Sequence, residues 1–398
     1  MKILYHHRTA SQDGQAVHID EMIAALRAQG HEVRVVAPGA PADRSMGGEV
    51  AWVRWLKSLL PRAAYELLEC GYSLLAYRRL AAAAREFSPD FIYERYNLFL
   101  FAGVMLKRRF GLPLLLEVNS PLAQERASHG GLSLARLARR SEGWIWRNAD
   151  CVLPVTAVLA RDVQAQGVAA ERITVIHNGI NAAHFAAAPG PVAAKAALGL
   201  QDRLVLGFTG FVRDWHGVDR VVAWMATVQA PRNAQLLIVG DGPARADLEA
   251  RARQLGLGDR VAFTGVVARE RVPALVAAFD IALQPAVVPY ASPLKLLEYL
   301  ALGKAIVAPR EPNLMELLTD ADNAVLFDAG AAGALEQALS RLCADAPLRQ
   351  HLSRGAKATI DRLNLTWDGN ARRVVALAAS AGARPERAHA GVGVGEVR

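Results

Sequence analysis

Lys295 and Glu298, three residues apart, follow a Ser-Pro pair at positions 292 and 293. Serine is a good N-cap and proline a good first helical residue, so the spacing predicts a helix that starts at Ser292 and Pro293. The backbone N–H groups of Leu294, Lys295 and Leu296 then have no intrahelical partner and suit an anion. Leu294, Leu297 and Ala301 form the expected buried stripe, which turns Lys295 and Glu298 away from the core. A carboxylate one turn into such a helix can accept both hydroxyls of a ribose whose diphosphate rests on the helix N-terminus. A solvated surface Lys–Glu pair would have the same sequence, and on this stretch alone both readings stay open.

Three further loops are candidates for phosphate contact. Gly207-Phe-Thr-Gly-Phe-Val-Arg-Asp-Trp-His-Gly-Val-Asp219 follows a strand pattern and opens a helix. Gly210 allows close backbone approach there, and Arg213 and His216 can reach a phosphate. Ile238-Val-Gly-Asp-Gly-Pro243 reads as a strand ending in a tight turn. Near the start, Gly14 lies between strand and helix, where its backbone could approach the far side of a diphosphate. His6, His7, Arg8 and His18 surround it. Histidines there suit acid–base or phosphate chemistry, or a purely structural role. Neither a His-x-x-x-His helix nor a carboxylate cluster marks a metal site, so none is expected.

The elements that must hold these loops alternate along the chain. Lys2–Tyr5, a helix from about Val17 to Gln29 and Glu32–Ala37 make a βαβ opening. Short apolar runs at Phe91–Glu94, Leu114–Val118, Cys151–Val155 and Ile173–Ile176 continue it, separated by helical stretches such as Trp55–Phe87 and Ser133–Arg147. Two prolines and a glycine in Ala186–Ala194 mark a linker. After it, strand patterns recur at Val205–Thr209, Gln235–Val239, Val261–Thr264, Ile281–Gln284, Ala305–Ala308 and Ala324–Phe327. Two α/β domains of doubly wound parallel sheet are therefore expected, over 1–188 and 195–366, with a ligand cleft at the carboxyl ends of their strands. A helix over 367–380 is expected to pack back on the first domain, and 381–398 to be a disordered tail.

The 398 residues exceed one usual core, and a hydrophobic share of 52% against 21% charged describes a packed globule. The excess of Lys and Arg over Asp and Glu, 46 − 38 = 8, favours anionic partners. Zinc-finger spacing and basic heptad helices are missing, so nucleic acid is not expected. The start, Met1-Lys2-Ile3-Leu4-Tyr5-His6-His7-Arg8, turns polar too soon for a secretory signal, and a cytoplasmic location is expected. Cys70, Cys151 and Cys343 are scattered and odd in number, as for buried reduced thiols.

Taken in order, these loops resemble glycosyltransferase family 4 of the GT-B superfamily, the retaining enzymes that use nucleotide sugars. The resemblance runs through Val175-Ile-His-Asn-Gly-Ile-Asn181, Gly210–Gly217, Val239-Gly-Asp-Gly-Pro243, Val261-Ala-Phe-Thr-Gly265, Ser292–Pro309 and Leu365-Thr-Trp367. It implies two Rossmann-like domains in a GT-B arrangement, with a nucleotide-diphosphate sugar as co-substrate and neither cofactor nor metal. Glu298 matches the second glutamate of the family's Glu-seven-residues-Glu motif and takes the ribose role. The backbone around Val266 and Val267 takes the base. Where the motif has its first glutamate, on the donor sugar, this chain has Tyr290. Phe211 and His216 stand where the family has an arginine and a lysine on the diphosphate, leaving His216, Arg213 and Lys295 to share the leaving-group role. Asn119, in Glu117-Val-Asn-Ser-Pro121, stands where the family often has a histidine near the transferred sugar.

The first domain carries an acceptor clue. Trp52, Arg54, Trp55, Lys57, Arg62, Arg78, Arg79, Arg136, Arg139, Arg140, Trp144, Trp146 and Arg147 mix aromatic and basic residues on helical stretches. Such helices suit an anionic membrane surface, and the implied reading is a peripheral enzyme at the inner face of the plasma membrane acting on a lipid-linked saccharide. Ordinary amphipathic helices with core tryptophans would look the same. Two other functions stay open: a sugar-nucleotide epimerase of the same architecture, and a catalytically silent sugar-nucleotide-binding partner of a transferase complex.

Overall fold

The computed structural model describes residues 1–9, 14–38, 59–128 and 131–382. Trp52, Arg54, Trp55 and Lys57, and the expected tail from 383 on, lie outside the described residues. Five parallel strands, β1 (Lys2–His6), β2 (Glu32–Val36), β3 (Phe91–Arg95), β4 (Leu114–Val118) and β5 (Cys151–Pro154), form a first sheet in the order β2-β1-β3-β4-β5. Six more, β6 (Leu204–Thr209), β7 (Ala234–Val239), β8 (Val261–Phe263), β9 (Ile281–Leu283), β10 (Ala305–Pro309) and β11 (Ala324–Phe327), form a second in the order β11-β10-β9-β6-β7-β8. β3, β4, β5 and β7 are buried at every residue, as parallel strands covered on both faces must be, and this is why they read as mainly apolar runs, with Glu94, Arg95, Glu117 and Gln235 the buried polar exceptions.

Helices cover both faces of each sheet. The first carries α1 (Gly14–Ala28), α2 (Arg62–Phe87), α3 (Ala102–Phe110), α4 (Leu122–Ser128), α5 (Ala135–Asn148) and α6 (Ala157–Ala165). Short helices α7 (Ala182–Ala186) and α8 (Pro191–Ala197) follow, then α9 (Val218–Met225), α10 (Arg245–Gln254), α11 (Val272–Ala277), α12 (Leu294–Ala301), α13 (Ala334–Ala344) and α14 (Ala346–Arg362). The chain then returns: α15 (Trp367–Gly382) lies against α1, and Trp367, Ala371, Val374 and Ala378 join Ile3, Tyr5, Ile19 and Met22 in one apolar cluster of the first sheet. Each such fully buried large apolar side chain contributes about 1.5–3 kcal/mol.

Two sequence expectations change. Ile173–Ile176 is not a strand: it runs beside β5, with Thr174 N–H on the Val152 carbonyl and Ile176 N–H on that of Pro154, then leaves for the second domain. The expected linker at 186–194 is largely helical, because Pro191 serves as an early residue of α8, whose Ala194 packs on Ala277 and Ala278. All three cysteines are free, with Cys151 buried and Cys70 and Cys343 half-buried.

In each sheet the strand order reverses once, between β1 and β3 and between β6 and β9. Ligands of open α/β sheets bind outside the carboxyl ends of strands at such reversals. The loops after β1 and β6, with Gly14 and Gly210, are at these two points.

Candidate active site

The two reversals face one another across a cavity of about 250 Å³. Gly14 and Glu21 of α1 line it from the first domain, Asn181, His184 and Phe185 from the crossing, and Thr209 to Phe211, Val266, Val267, Arg269, Leu294 and Glu298 from the second. A β-carbon added to Gly14 would stand 3.4 Å from Leu294 Cδ1, so the first residues of α1 and α12 are in contact. Two helix N-termini therefore converge from opposite domains, and both carry partial positive charge. An anion bridging the domains is the ligand this arrangement suits.

α12 starts one residue later than its sequence suggests. Pro293 is the N-cap, with no side-chain cap bond, and its carbonyl accepts the N–H of Leu296, which removes that amide from the anion site. The Ser292 hydroxyl is no cap, being drawn instead to the chain crossing, where it accepts the N–H of Asn178 at 3.4 Å. Asn178 Nδ2 also donates to the Ser292 carbonyl at 2.6 Å. Ser292 and Pro293 thus fix the approach to α12, while Leu294 reaches the cavity. The crossing is tight: a β-carbon on Gly179 would lie 2.5 Å from the Trp367 backbone nitrogen, so only glycine fits the Asn-Gly step.

The buried stripe of α12 is Leu296, Leu297, Tyr299 and Leu300 rather than Leu294, Leu297 and Ala301, a rotation that places Glu298 in the cavity lining and Lys295 just behind it, with Nζ 3.6 Å from where a β-carbon on Gly210 would stand. Lys295 Nζ is buried with no hydrogen-bond partner, 3.8 Å from the centre of the Phe208 ring. Burial pushes its pKa down to about 7, with Glu298 pulling the other way. Glu298 Oε2 is likewise buried and unpartnered, and burial raises its carboxyl to about 7 against the pull of Lys295 and Arg269. A buried cation and a buried carboxylate left bare are costly unless a ligand completes them. Thr209 Oγ1 and His184 Nε2, both on cavity-lining residues, are buried and bare as well.

The glycine-rich loop is held by close backbone packing. Gly210 adopts φ 121°, and a β-carbon on Gly240 would fall 2.1 Å from the Gly210 carbonyl oxygen, so the loops after β6 and β7 touch only because both residues are glycine. His216 is not the expected cation. Its Nδ1 accepts the N–H of Arg213 at 3.1 Å, and burial, with Lys295 and Arg213 nearby, lowers its pKa to about 2. The imidazole is neutral and carries its proton on Nε2, so it can offer a hydrogen bond but no charge. Arg213 is exposed, 4.9 Å from the Phe211 ring, and lines a separate hollow with Asp214, Asp219 and Asp247. Lys295 remains, of the three, as the buried cation, lying behind Gly210 of the cavity lining rather than in the lining itself.

Tyr290 does not line the cavity. Its carbonyl accepts the Thr156 hydroxyl at 3.0 Å and its ring packs on the first domain's core. The phenol hydrogen-bonds Glu125, and burial with that carboxylate raises its pKa. The aromatic ring finds apolar partners across the cleft, and the residue joins domains rather than holding ligand. Asn119 also stands outside the cavity lining. Its Nδ2 donates to Glu117, a buried carboxylate that also accepts from Arg95 and Tyr93 and has His18 Nε2 at 2.9 Å. Burial opposes this charge, yet His18 and Arg95 hold the Glu117 pKa below the usual carboxylate range. His6 pairs with Glu94, and His7 is lowered to about 4 by burial and by His6. Those histidines are therefore spent on the interior. Gly14, Gly210, Val266, Val267, Leu294 and Glu298 do meet in the cavity. Sequence reasoning missed Glu21, Asn181, His184 and Arg269, although Asn181 and Trp367 stood inside quoted motifs.

Two parallel α/β domains facing one another across a cleft define the GT-B class of sugar-transfer proteins. Residues 13–179 match the family model for a glycosyl transferase 4-like domain, and 193–359 that for glycosyl transferases group 1. The chain is 28% identical to the 2-deoxystreptamine glucosyltransferase of Streptomyces kanamyceticus, over 69% of this chain and 74% of that one. It is 26% identical to a D-inositol 3-phosphate glycosyltransferase of Xylanimonas cellulosilytica over 90% of each. Among solved structures, Anabaena HepE in complex with UDP superposes with a TM-score of 0.74 at 20% identity, covering 96% of this chain and 100% of that one. Sucrose-phosphate synthase of Thermosynechococcus elongatus gives 0.75 at 22%, covering 96% and 98%. The chain belongs to the GT-B glycosyltransferases of the family 4 kind, and it is a glycosyltransferase.

Proposed function

We propose that the chain moves a sugar from a nucleotide diphosphate to an acceptor hydroxyl with retention of anomeric configuration. The observation that carries this is the pair of bare, buried groups Lys295 and Glu298 beside the touching N-termini of α1 and α12. The diphosphate would lie between the two helix ends with Lys295 on its charge, and the ribose diol would complete Glu298. Lys295 then stabilises the charge that builds on the leaving diphosphate, which makes catalysis largely electrostatic and independent of a metal.

Retention is supported by how the cavity's carboxylates are engaged. Glu21 is bound to Arg269 and Asn181, and Asp241 to Arg245 and to the N–H of Gly242. That leaves Glu298, and a carboxylate on ribose is not available as nucleophile. The leaving diphosphate then takes the acceptor's proton on the same face of the sugar. Removal of Lys295 or Glu298 by alanine is expected to lower nucleotide diphosphate release about 100-fold or more without loss of fold. Wild-type rates in both variants would defeat the assignment. An epimerase would have to abstract its proton with His184, whose Nε2 is bare, since Glu21 and Asp241 are engaged; an isomer formed from a nucleotide sugar without acceptor would favour that reading.

We infer that the acceptor is a lipid-linked saccharide presented at an anionic membrane surface. Support comes from α2, where Leu67, Leu68, Leu74 and Leu75 are 46–60% exposed on one face that continues into exposed Arg78 and Arg79. The tryptophans of α5 do not contribute: Trp146 is 1% exposed, and Trp144 packs between Phe101 and Arg108. A second reading, a small cyclitol acceptor, is favoured by the names of the 2-deoxystreptamine and inositol phosphate transferases among the relatives. Assay with both acceptor classes, and the anomeric configuration of the product by NMR, separates these readings.

A further inference from the structure

Arg269 stands between two carboxylates that come from different domains. Its guanidinium is bound to Glu21 of α1. Its charge also reaches Glu298, where it draws the carboxyl pKa down against burial. Glu21 is 9% exposed and also accepts from Asn181 Nδ2 at 3.1 Å, so it is fixed in place by the chain crossing. Glu21, Asn181, Arg269 and Glu298 all line the one cavity. A guanidinium binds carboxylates in planar, charge-assisted pairs, and either acid suits it. Here it has taken Glu21, and Glu298 Oε2 is bare.

We propose that Glu21 is a positioning residue for the nucleotide: by holding Arg269 from the opposite domain it keeps that guanidinium off Glu298 and leaves the Glu298 carboxylate free for a ribose diol. This rests on the ribose reading of Glu298 given above. The device is tied to closure. When the domains part, Arg269 loses Glu21, and Glu298 is a cavity carboxylate that its charge already reaches, so the open cleft covers its own ribose acceptor. When they close, Glu21 recovers the guanidinium and the acceptor is exposed.

The test is calorimetric titration of the full chain with UDP, GDP and ADP, continued with whichever binds the wild type most tightly. Glu298→Ala, Glu21→Gln and the double variant Glu21→Gln/Arg269→Met are compared, with thermal melts to show that each is folded. Glu21→Gln is expected to weaken binding about tenfold, a loss of 1.4 kcal/mol. The double variant is expected to recover to within about threefold of wild type, because no guanidinium is left to cover Glu298. A double variant as weak as Glu21→Gln or weaker overturns the inference, since a lost cross-link or a lost direct contact behaves in that way. So does a Glu21→Gln variant that binds like wild type. Wild-type protein that binds none of the three, or a Glu298→Ala variant that binds normally, defeats the ribose reading itself and the inference with it.

Discussion

Burial opposes the charged forms of both Lys295 and Glu298, and their substitution has opposite pH signatures. The Lys295 pKa in the fold is about 7, against 10.5 ordinarily. Below pH 7 it is charged both folded and unfolded, so the full penalty of burying its charge is present there and fades as pH rises toward its unfolded value. The Glu298 pKa is about 7 against 4.5, so its penalty is full above pH 7 and fades as pH falls toward 4.5. Lys295→Met is therefore expected to raise the melting temperature most below pH 7, and Glu298→Gln most above it, each by about 1 kcal/mol of stability. Melts of both variants from pH 5 to 9 check this, and the same trend in the two would contradict it. These residues were legible in sequence because a Ser-Pro pair, a lysine and a glutamate share one turn-and-helix pattern. Arg269 and Glu21 were not, since an arginine in a short turn and a glutamate on an amphipathic helix acquire meaning only when two domains bring them together. His216 was misread for the same reason: its charge state follows from burial against Phe208 and Lys295, which spacing does not reveal.

The loop after β5 and the segment after β10 form a further contact between the domains. Glu316 lays both carboxylate oxygens on the N–H of Ala157 at 2.8 and 2.9 Å and one on Val158 at 3.2 Å, so a residue of the second domain caps α6 of the first. Capping by a carboxylate at a helix N-terminus contributes about 1 kcal/mol. Glu316→Ala is therefore expected to lower the melting temperature by about 2–4 °C and to widen the particle in small-angle scattering. An unchanged profile would show that this cap does not hold the domains together. At this scale most of the fold was readable. Eleven of the twelve expected strands form, from short apolar runs whose length matches buried parallel strands, as at Leu114–Val118. What failed was Ile173–Ile176, apolar because it rests on β5 and then crosses between domains; within the linker at 186–194 only 187–190 is non-helical, because proline there opens a helix instead of breaking one.

For the whole molecule, no helix among the described residues is long and apolar enough to cross a membrane. Surface attachment then depends on the α2 face. Leu74→Asp with Leu75→Asp is expected to abolish sedimentation with anionic liposomes at low salt while leaving release of the nucleotide diphosphate to a water-soluble acceptor intact. Equal sedimentation of variant and wild type would remove the membrane from the acceptor reading. The Trp367 helix has a consequence for biogenesis. The face of the first sheet that α1 covers stays incomplete until residues 367–382 arrive, after all of 194–366 has been synthesised. The amino-terminal half therefore waits on the ribosome with the outer side of its apolar cluster, where Trp367, Ala371, Val374 and Ala378 will pack, unshielded while the other half matures. A fragment stopped at the crossing should be aggregation-prone, and supplying the missing helix in trans should rescue its solubility.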